Sequence, residues 1–121
     1  MIIESGEKGF ECNIEIPKIN SDGKSKMVIF CFDLMMLEAF NSHVDFLIHD
    51  SNIFDGVDSR QIAGSLNLAY DKCKNNENIQ YIIALNSDIV SKQNLKFDMD
   101  KNVVLKLSDD CIENSLLGFE F

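Results

Sequence analysis

The chain lacks the features that mark membrane-spanning and zinc-binding proteins. None of its apolar runs approaches the ~20 residues that a helix needs to cross a bilayer. Its four cysteines form no Cys-x-x-Cys pair and only two histidines are present, so a structural zinc site has little support and mostly buried, reduced thiols are expected. No basic stretch followed by an apolar one marks the N-terminus, which argues against a signal peptide and for a cytoplasmic protein without membrane partners.

Basic residues are also few. The chain carries 11 Lys and Arg against 20 Asp and Glu, for a net charge of −9. An acidic surface repels phosphate backbones, so we expect no direct binding to nucleic acid. What is present is an ordinary globular composition, 45% hydrophobic and 26% charged, over 121 residues. This length corresponds to one domain, and residues 1–121 are expected to form it.

The apolar pattern predicts five strands, at residues 10–16, 45–50, 81–85, 103–107 and 117–121. The first of these alternates between apolar and polar side chains, as a half-buried strand does. The second and third are short apolar runs of the kind found in central strands of parallel sheets.

Two helices are predicted between these strands. Apolar residues cover nearly all sides of residues 24–40, so we expect a helix buried on most of its faces, with a strand as the alternative for its first half. Asp58 is a good N-cap for the second helix, with Gln61 as its capping-box partner, and residues 75–76 end it. The order of elements predicts an α/β fold, with a mostly parallel sheet and flanking helices.

The most informative segment is the strand that ends in Asp50 and is followed by a turn leading to Asp58. A carboxylate at the carboxyl end of a buried strand is where α/β proteins hold Mg²⁺ and nucleotide phosphates. The alternative is a carboxylate that only caps the next turn.

The order of these features resembles the C-terminal lobe of an ABC-type ATPase head. The features are a loop at residues 21–24, a long apolar helix, a strand ending in an aspartate and a second apolar strand. The chain is similar in particular to SMC-like coiled-coil ATPases and, within them, to a bacterial family of uncharacterised C-terminal domains. The hallmark of that family is a stretch like Phe46–Ser51 followed by Phe54–Asp58, and the likeness covers about residues 10–88.

The resemblance implies catalytic roles around the strand end. Asp50 matches the Walker B aspartate, which holds the water shell of Mg²⁺. Ser51 stands where active ABC ATPases carry a glutamate, and serine cannot act as that base unaided. Hydrolysis is then slow, or His49 or Asp55 substitutes, or the site is a binding switch. Asp58 matches the D-loop aspartate with an offset of one residue, besides being a good N-cap.

The resemblance also implies residues that contact nucleotide. Ser21 and Gly23 fall on the signature loop, which contacts the γ-phosphate of ATP bound to the opposite subunit. The alternative is an ordinary N-cap followed by glycine, and Asp22 stands where the family has a second glycine. Ser87 lies where the switch histidine would be.

A complete P-loop is not found in the chain. Gly23-Lys24-Ser25 matches the end of the motif Gly-x-x-x-x-Gly-Lys-Ser, but Lys18 stands where its first glycine is required. The sequence therefore lacks the N-terminal Walker A lobe of such a head.

The resemblance implies half of an SMC-like ATPase head that supplies signature, Walker B and D-loop elements to a composite ATP site. ATP and Mg²⁺ would bind only in a complete assembly with the missing N-terminal lobe or a second head, in DNA maintenance or phage defence. The isolated chain is expected to be inactive. The alternative is a non-catalytic interaction or dimerisation module with the same fold. The apolar segment Met27–Leu37 favours homodimerisation or domain swapping as a way to hide its surface. A stand-alone enzyme has little support, because no nucleophile and base are recognisable.

Overall fold

The computed structural model describes residues 2–7, 9–13, 22–39, 45–86, 88–89, 94–108 and 110–115. In chain order the described elements are β1 (Ile2–Gly6), β2 (Gly9–Asn13), α1 (Asp22–Ala39), β3 (Phe46–His49), α2 (Ser59–Asn75) and β4 (Gln80–Ile83). Short 3₁₀ turns are formed by Ser51–Phe54, Met99–Lys101 and Ile112–Asn114. The predicted strand at residues 117–121 lies outside the described residues.

Strands β3 and β4 form a parallel pair joined through α2. Phe46 pairs with Gln80, and His49 pairs with Ile83 at the other end. Parallel neighbours require a crossover connection, which the 3₁₀ turn and α2 supply here. This unit confirms the predicted α/β class, as a small parallel sheet with two helices.

The N-terminal strands form a separate antiparallel hairpin. Residues Ile2–Gly6 pair with Gly9–Asn13, so the strand predicted at residues 10–16 is present as β2 over its first part. Residues 14–16 lie outside the described residues. Sequence reasoning missed β1, because two apolar residues followed by Glu4 give no clear alternation.

The strand predicted at residues 103–107 is wrong. This segment has no regular secondary structure, and the side chain of Val104 is 98% exposed. An apolar run becomes a strand only where a neighbour pairs with its backbone. No described strand pairs with this segment.

Both helices begin and end close to their predicted bounds. The side chain of Asp58 caps α2 by accepting from the backbone N–H of Arg60, and the helix ends at Asn75 as expected. Helix α1 continues through the half for which a strand was the alternative.

The expected burial of α1 on most of its faces is wrong. Phe30, Leu34 and Leu37 are buried, at helical spacing, whereas Ile29 and Met35 on other faces are exposed. Helix α1 packs mainly on β3 and the 3₁₀ turn after it, and it also contacts α2 through Met27 and Glu38. The thiols also differ from expectation, since Cys31 and Cys111 are exposed and Cys73 is half-buried.

The core lies between the helices and one face of the parallel sheet. Its buried apolar members are Phe30, Leu34, Leu37, Phe54, Ile62, Leu66, Ala69 and Ile79. Among the described residues no helix is long and apolar enough to cross a membrane.

The N-terminus of α1 packs directly on the turn that follows β3. Gly23 is buried, and a Cβ atom at this position would clash with the carbonyl oxygen of Gly56 and lie 2.9 Å from its carbonyl carbon. Gly56 itself has φ of +71°, a left-handed conformation that side chains other than that of glycine rarely tolerate. Two glycines thus let a helix and a turn meet backbone to backbone.

This packing makes a prediction about two glycines in helices. Gly23→Ala should lower the free energy of unfolding by about 1–3 kcal/mol, because the added methyl group overpacks the contact with Gly56. Gly64→Ala, in α2, adds a methyl group that meets nothing within 4 Å, and should stabilise the fold by about 0.5–1 kcal/mol. Urea unfolding followed by circular dichroism measures both. Equal effects of the two substitutions would contradict the packing.

Candidate functional site

Asp50 lies directly after β3, at the carboxyl end of the parallel sheet. Its side chain is exposed, and its backbone is extended with φ of −98° and ψ of 169°. One carboxylate oxygen accepts from the backbone N–H of Asn52 at 2.5 Å and the other from the Asn52 side-chain amide at 3.1 Å. No Lys or Arg in the described part of the chain forms an ion pair with it. Asp50 therefore caps the following turn and still presents an unneutralised carboxylate to solvent.

Ser51 begins the 3₁₀ turn that carries the chain away from the strand end. The turn closes through a bond from the Ile53 N–H to the Asp50 carbonyl oxygen at 3.2 Å. Lys26 on α1 holds this turn: its ammonium group donates to the carbonyl oxygen of Asn52 and lies 3.4 Å from the Asp55 carboxylate. The helix and the turn are thus joined both by glycine packing and by a charged side chain.

Asp58 begins α2 at the far end of the same turn. Its carboxylate accepts from the backbone N–H of Arg60 at 2.9 Å and from the Arg60 guanidinium at 3.1 Å. These two hydrogen bonds, the backbone one first, hold the pKa of Asp58 below its ordinary value. Asp58 is therefore ionised wherever the fold exists near neutral pH, as an N-cap requires.

His49 faces away from this turn, into the core. Its Nε2 lies 3.1 Å from a carboxylate oxygen of Asp33, and its Nδ1 lies 3.1 Å from the Tyr81 hydroxyl. A carboxylate only accepts, so Nε2 carries the hydrogen toward Asp33. The hydrogen between Nδ1 and the Tyr81 hydroxyl comes from the hydroxyl when the ring is neutral and from Nδ1 when it is protonated. Because both nitrogens are engaged and the ring is buried, His49 is badly placed to substitute as a base beside Asp50.

Two further titratable groups in this region are Tyr81, which contacts His49, and Cys73. Burial raises the pKa of Tyr81, with smaller contributions from Cys73 and Asp33, and burial also raises the pKa of the Cys73 thiol. Both groups therefore remain protonated at neutral pH. Neither has the lowered pKa that an activated nucleophile needs.

The structure brings four of the predicted site residues close together, three of them on one segment. Asp50, Ser51 and Asp58 belong to the turn at residues 50–58, and Gly23 packs against it. Ser21 and Ser87 lie outside the described residues. We call residues 50–58 together with Gly23 and Lys26 the strand-end turn.

The strand-end turn fits nucleotide and metal only in part. Among described residues no group of three His, Cys, Asp or Glu side chains is arranged to hold a metal ion. Asp50 has the exposed carboxylate that an outer-sphere Mg²⁺ contact needs. The buried backbone of Gly23, in contrast, is engaged with Gly56.

Sequence reasoning missed three residues that build this region, Lys26, Asp33 and Tyr81. Their contacts join positions that are 16 to 32 residues apart in the chain. A helical lysine and aspartate usually face solvent, and a tyrosine in an apolar strand is ordinary. No local pattern therefore distinguished them.

Comparison with known proteins gives a family for the chain. A family model described as an uncharacterised protein conserved in bacteria, DUF2326, matches residues 1–121, and the chain belongs to that family. This confirms the expected likeness to an uncharacterised bacterial family. No curated protein and no solved structure matches the chain.

The Asp33–His49–Tyr81 hydrogen bonds make a prediction about stability. Tyr81→Phe removes the hydrogen-bond partner of His49 Nδ1 and leaves that buried nitrogen unsatisfied, which should cost about 1–3 kcal/mol of unfolding free energy. Tyr70→Phe is the matched control, because the ring of Tyr70 stacks on Phe97 at 4.5 Å and that stack is retained. Its effect should stay within about 0.5 kcal/mol. Denaturant unfolding that ranks the two variants equally would contradict the hydrogen-bond assignment.

Proposed function

We propose that this member of the DUF2326 family is the C-terminal lobe of an SMC-like ATPase head. It would supply signature, Walker B and D-loop elements to a composite ATP site and would be inactive alone. The observation that carries the proposal is the strand-end turn. An exposed Asp50 follows a parallel strand, and the N-terminus of α1 is locked onto the same turn through Gly23.

In the proposed head, Asp50 is the residue that would hold Mg²⁺ through its water shell. A carboxylate at the carboxyl end of a parallel strand is well placed to hold the water shell of a magnesium ion between nucleotide phosphates. The exposure of Asp50 and the absence of an ion pair to it within the described residues leave its charge available. Its hydrogen bonds with Asn52 fix the direction in which the carboxylate points.

In the proposed head, the N-terminus of helix α1 would contact the nucleotide of a second head. Helix N-termini favour anions, since free N–H groups and the helix dipole point outward there. Packing of Gly23 on Gly56, and the hold of Lys26 on the turn, couple the position of this helix end to that of Asp50. Nucleotide contacted at one element would therefore be sensed at the other.

Chemistry in such a head would depend on parts that these residues do not supply. The P-loop would come from an N-terminal lobe, and Ser51 replaces the glutamate that activates water. We therefore propose slow hydrolysis or nucleotide-dependent engagement of two heads in the cytoplasm. Asp55 remains as a nearby carboxylate, and it forms an ion pair with Lys26 at 3.4 Å.

A second candidate is a non-catalytic interaction or dimerisation module. Both oxygens of Asp50 are already bonded to Asn52, and Gly23 has a packing role that needs no phosphate. The exposed Ile29 and Met35 of α1 offer an apolar surface for a homodimer. In this candidate the strand-end turn is purely structural.

The proposed composite site predicts how the isolated chain responds to nucleotide. Calorimetric titration of the 121-residue chain with Mg-ATP should show no binding in the micromolar range, because no P-loop cradles the phosphates. Micromolar affinity, or ATP turnover by the isolated chain, would contradict a site that needs a second lobe.

The role of Asp50 predicts a selective loss in a head that also contains a P-loop lobe. Asp50→Asn should lower kcat for ATP by at least about 100-fold, because the amide no longer stabilises the magnesium ion in the transition state. Asp71→Asn is the matched control, since Asp71 is a partly exposed carboxylate on α2 that pairs with Lys96 at 3.5 Å. It should leave kcat within about twofold. Unchanged activity of Asp50→Asn would favour the interaction module.

A further inference from the structure

No element in the described part of the chain covers one face of the parallel sheet. Phe46, Ile48 and Ile82 point away from the core and are 53%, 59% and 39% exposed. Ile48 and Ile82 are paired neighbours across the two strands, so the three side chains form one continuous apolar surface. We call it the outer sheet face.

The opposite face of the same strands is packed in the ordinary way. Leu47, His49, Tyr81 and Ile83 alternate with the exposed residues and lie against the core or within it. Strands in a parallel sheet are normally covered on both faces, by helices. A bare apolar face on such a sheet therefore marks an interaction surface.

The charged residues next to the two strands in the sequence are acidic. Asp45 directly precedes β3 and Asp50 directly follows it, so a carboxylate stands at each end of the apolar strip. Residues 41–59 and 75–91, which include both strands, contain no Lys or Arg. At the amino ends of the strands an open groove is lined by Asp45, Phe46, Glu77, Asn78, Ile79 and Gln80.

We infer that the outer sheet face binds a basic amphipathic helix of a partner polypeptide. The apolar side of that helix covers Phe46, Ile48 and Ile82, and its lysines or arginines reach Asp45 and Asp50 at the two ends. A helix fits because the exposed apolar side chains lie on a face of the sheet, and the faces of parallel sheets are covered by helices. This surface goes beyond the proposed function, since its apolar residues and Asp45 have no part in the nucleotide site; Asp50 alone is common to both.

The charges also disfavour a second copy of the chain as the occupant of this face. A symmetric dimer through this face would bring the same carboxylates together, in a chain with a net charge of −9. Like charges facing one another oppose association. A polypeptide of opposite charge is therefore the occupant that the charges favour.

The test uses a synthetic peptide of about 18 leucines and lysines, arranged as an amphipathic helix of about five turns. A peptide with glutamates in place of the lysines is its control. On addition to the ¹⁵N-labelled chain, the lysine peptide should shift amide signals of residues 46–50 and 80–84 most. The glutamate peptide should shift none of them. Shifts concentrated elsewhere, or equal responses to both peptides, would overturn the inference.

Two variants test whether the apolar surface itself is recognised. Ile48→Ser should weaken binding of the lysine peptide at least about fivefold, because it removes apolar area at the centre of the contact. Leu68→Ser is the control: Leu68 is 42% exposed on α2, and its loss should change affinity less than about twofold. Equal weakening by both variants means general attraction to an acidic protein and overturns the inference. If Ile48→Ser does not fold, Phe46→Ser replaces it, and the mapping on the unmodified chain stands without either.

Discussion

The ring of Phe30 holds together the elements on which the candidate site depends. It is fully buried, and its centroid lies 5.7 Å from that of His49, 5.9 Å from that of Phe54 and 6.0 Å from that of Tyr81. These partners come from β3, the turn after it and β4. One side chain of α1 therefore fixes the helix against both strands and against the strand-end turn, at distances where aromatic pairs attract one another.

Hydrogen bonds among Asp33, His49 and Tyr81 lie beside the apolar contacts of Phe30. His49 is hydrogen-bonded to the hydroxyl of Tyr81 and donates to Asp33, so three elements are joined by directional bonds as well as by packing. Apolar contacts tolerate sliding, whereas buried hydrogen bonds are lost when a helix rotates or a strand shifts by one residue. The network thus specifies the register that leaves His49 inside and Asp50, the next residue, at the surface. Access of Asp50 to a partner follows from the burial of its neighbour.

Local patterns in the sequence correctly predicted the elements that depend on interactions between residues close together in the chain. The strand before Asp50, the N-cap at Asp58 and the end of α2 all depend on residues a few positions apart. The missing strand at residues 103–107 and the one-sided burial of α1 depend instead on what lies beside them in space. The same holds for the site: Asp50 was found from its place after a strand. Lys26 and Tyr81 were not found, because their contacts join distant parts of the chain.

Two surfaces of β3 have proposed roles in binding. Its carboxyl end presents Asp50 to nucleotide in the proposed head, and its outer face presents Phe46 and Ile48 to a covering helix. The central claim is that this lobe completes an ATP site together with a P-loop lobe. Sedimentation velocity of an assembly containing both lobes tests it most directly. The account predicts that the mass doubles on addition of Mg-ATP and returns to its starting value when magnesium is removed. A mass that is the same with and without Mg-ATP would contradict it.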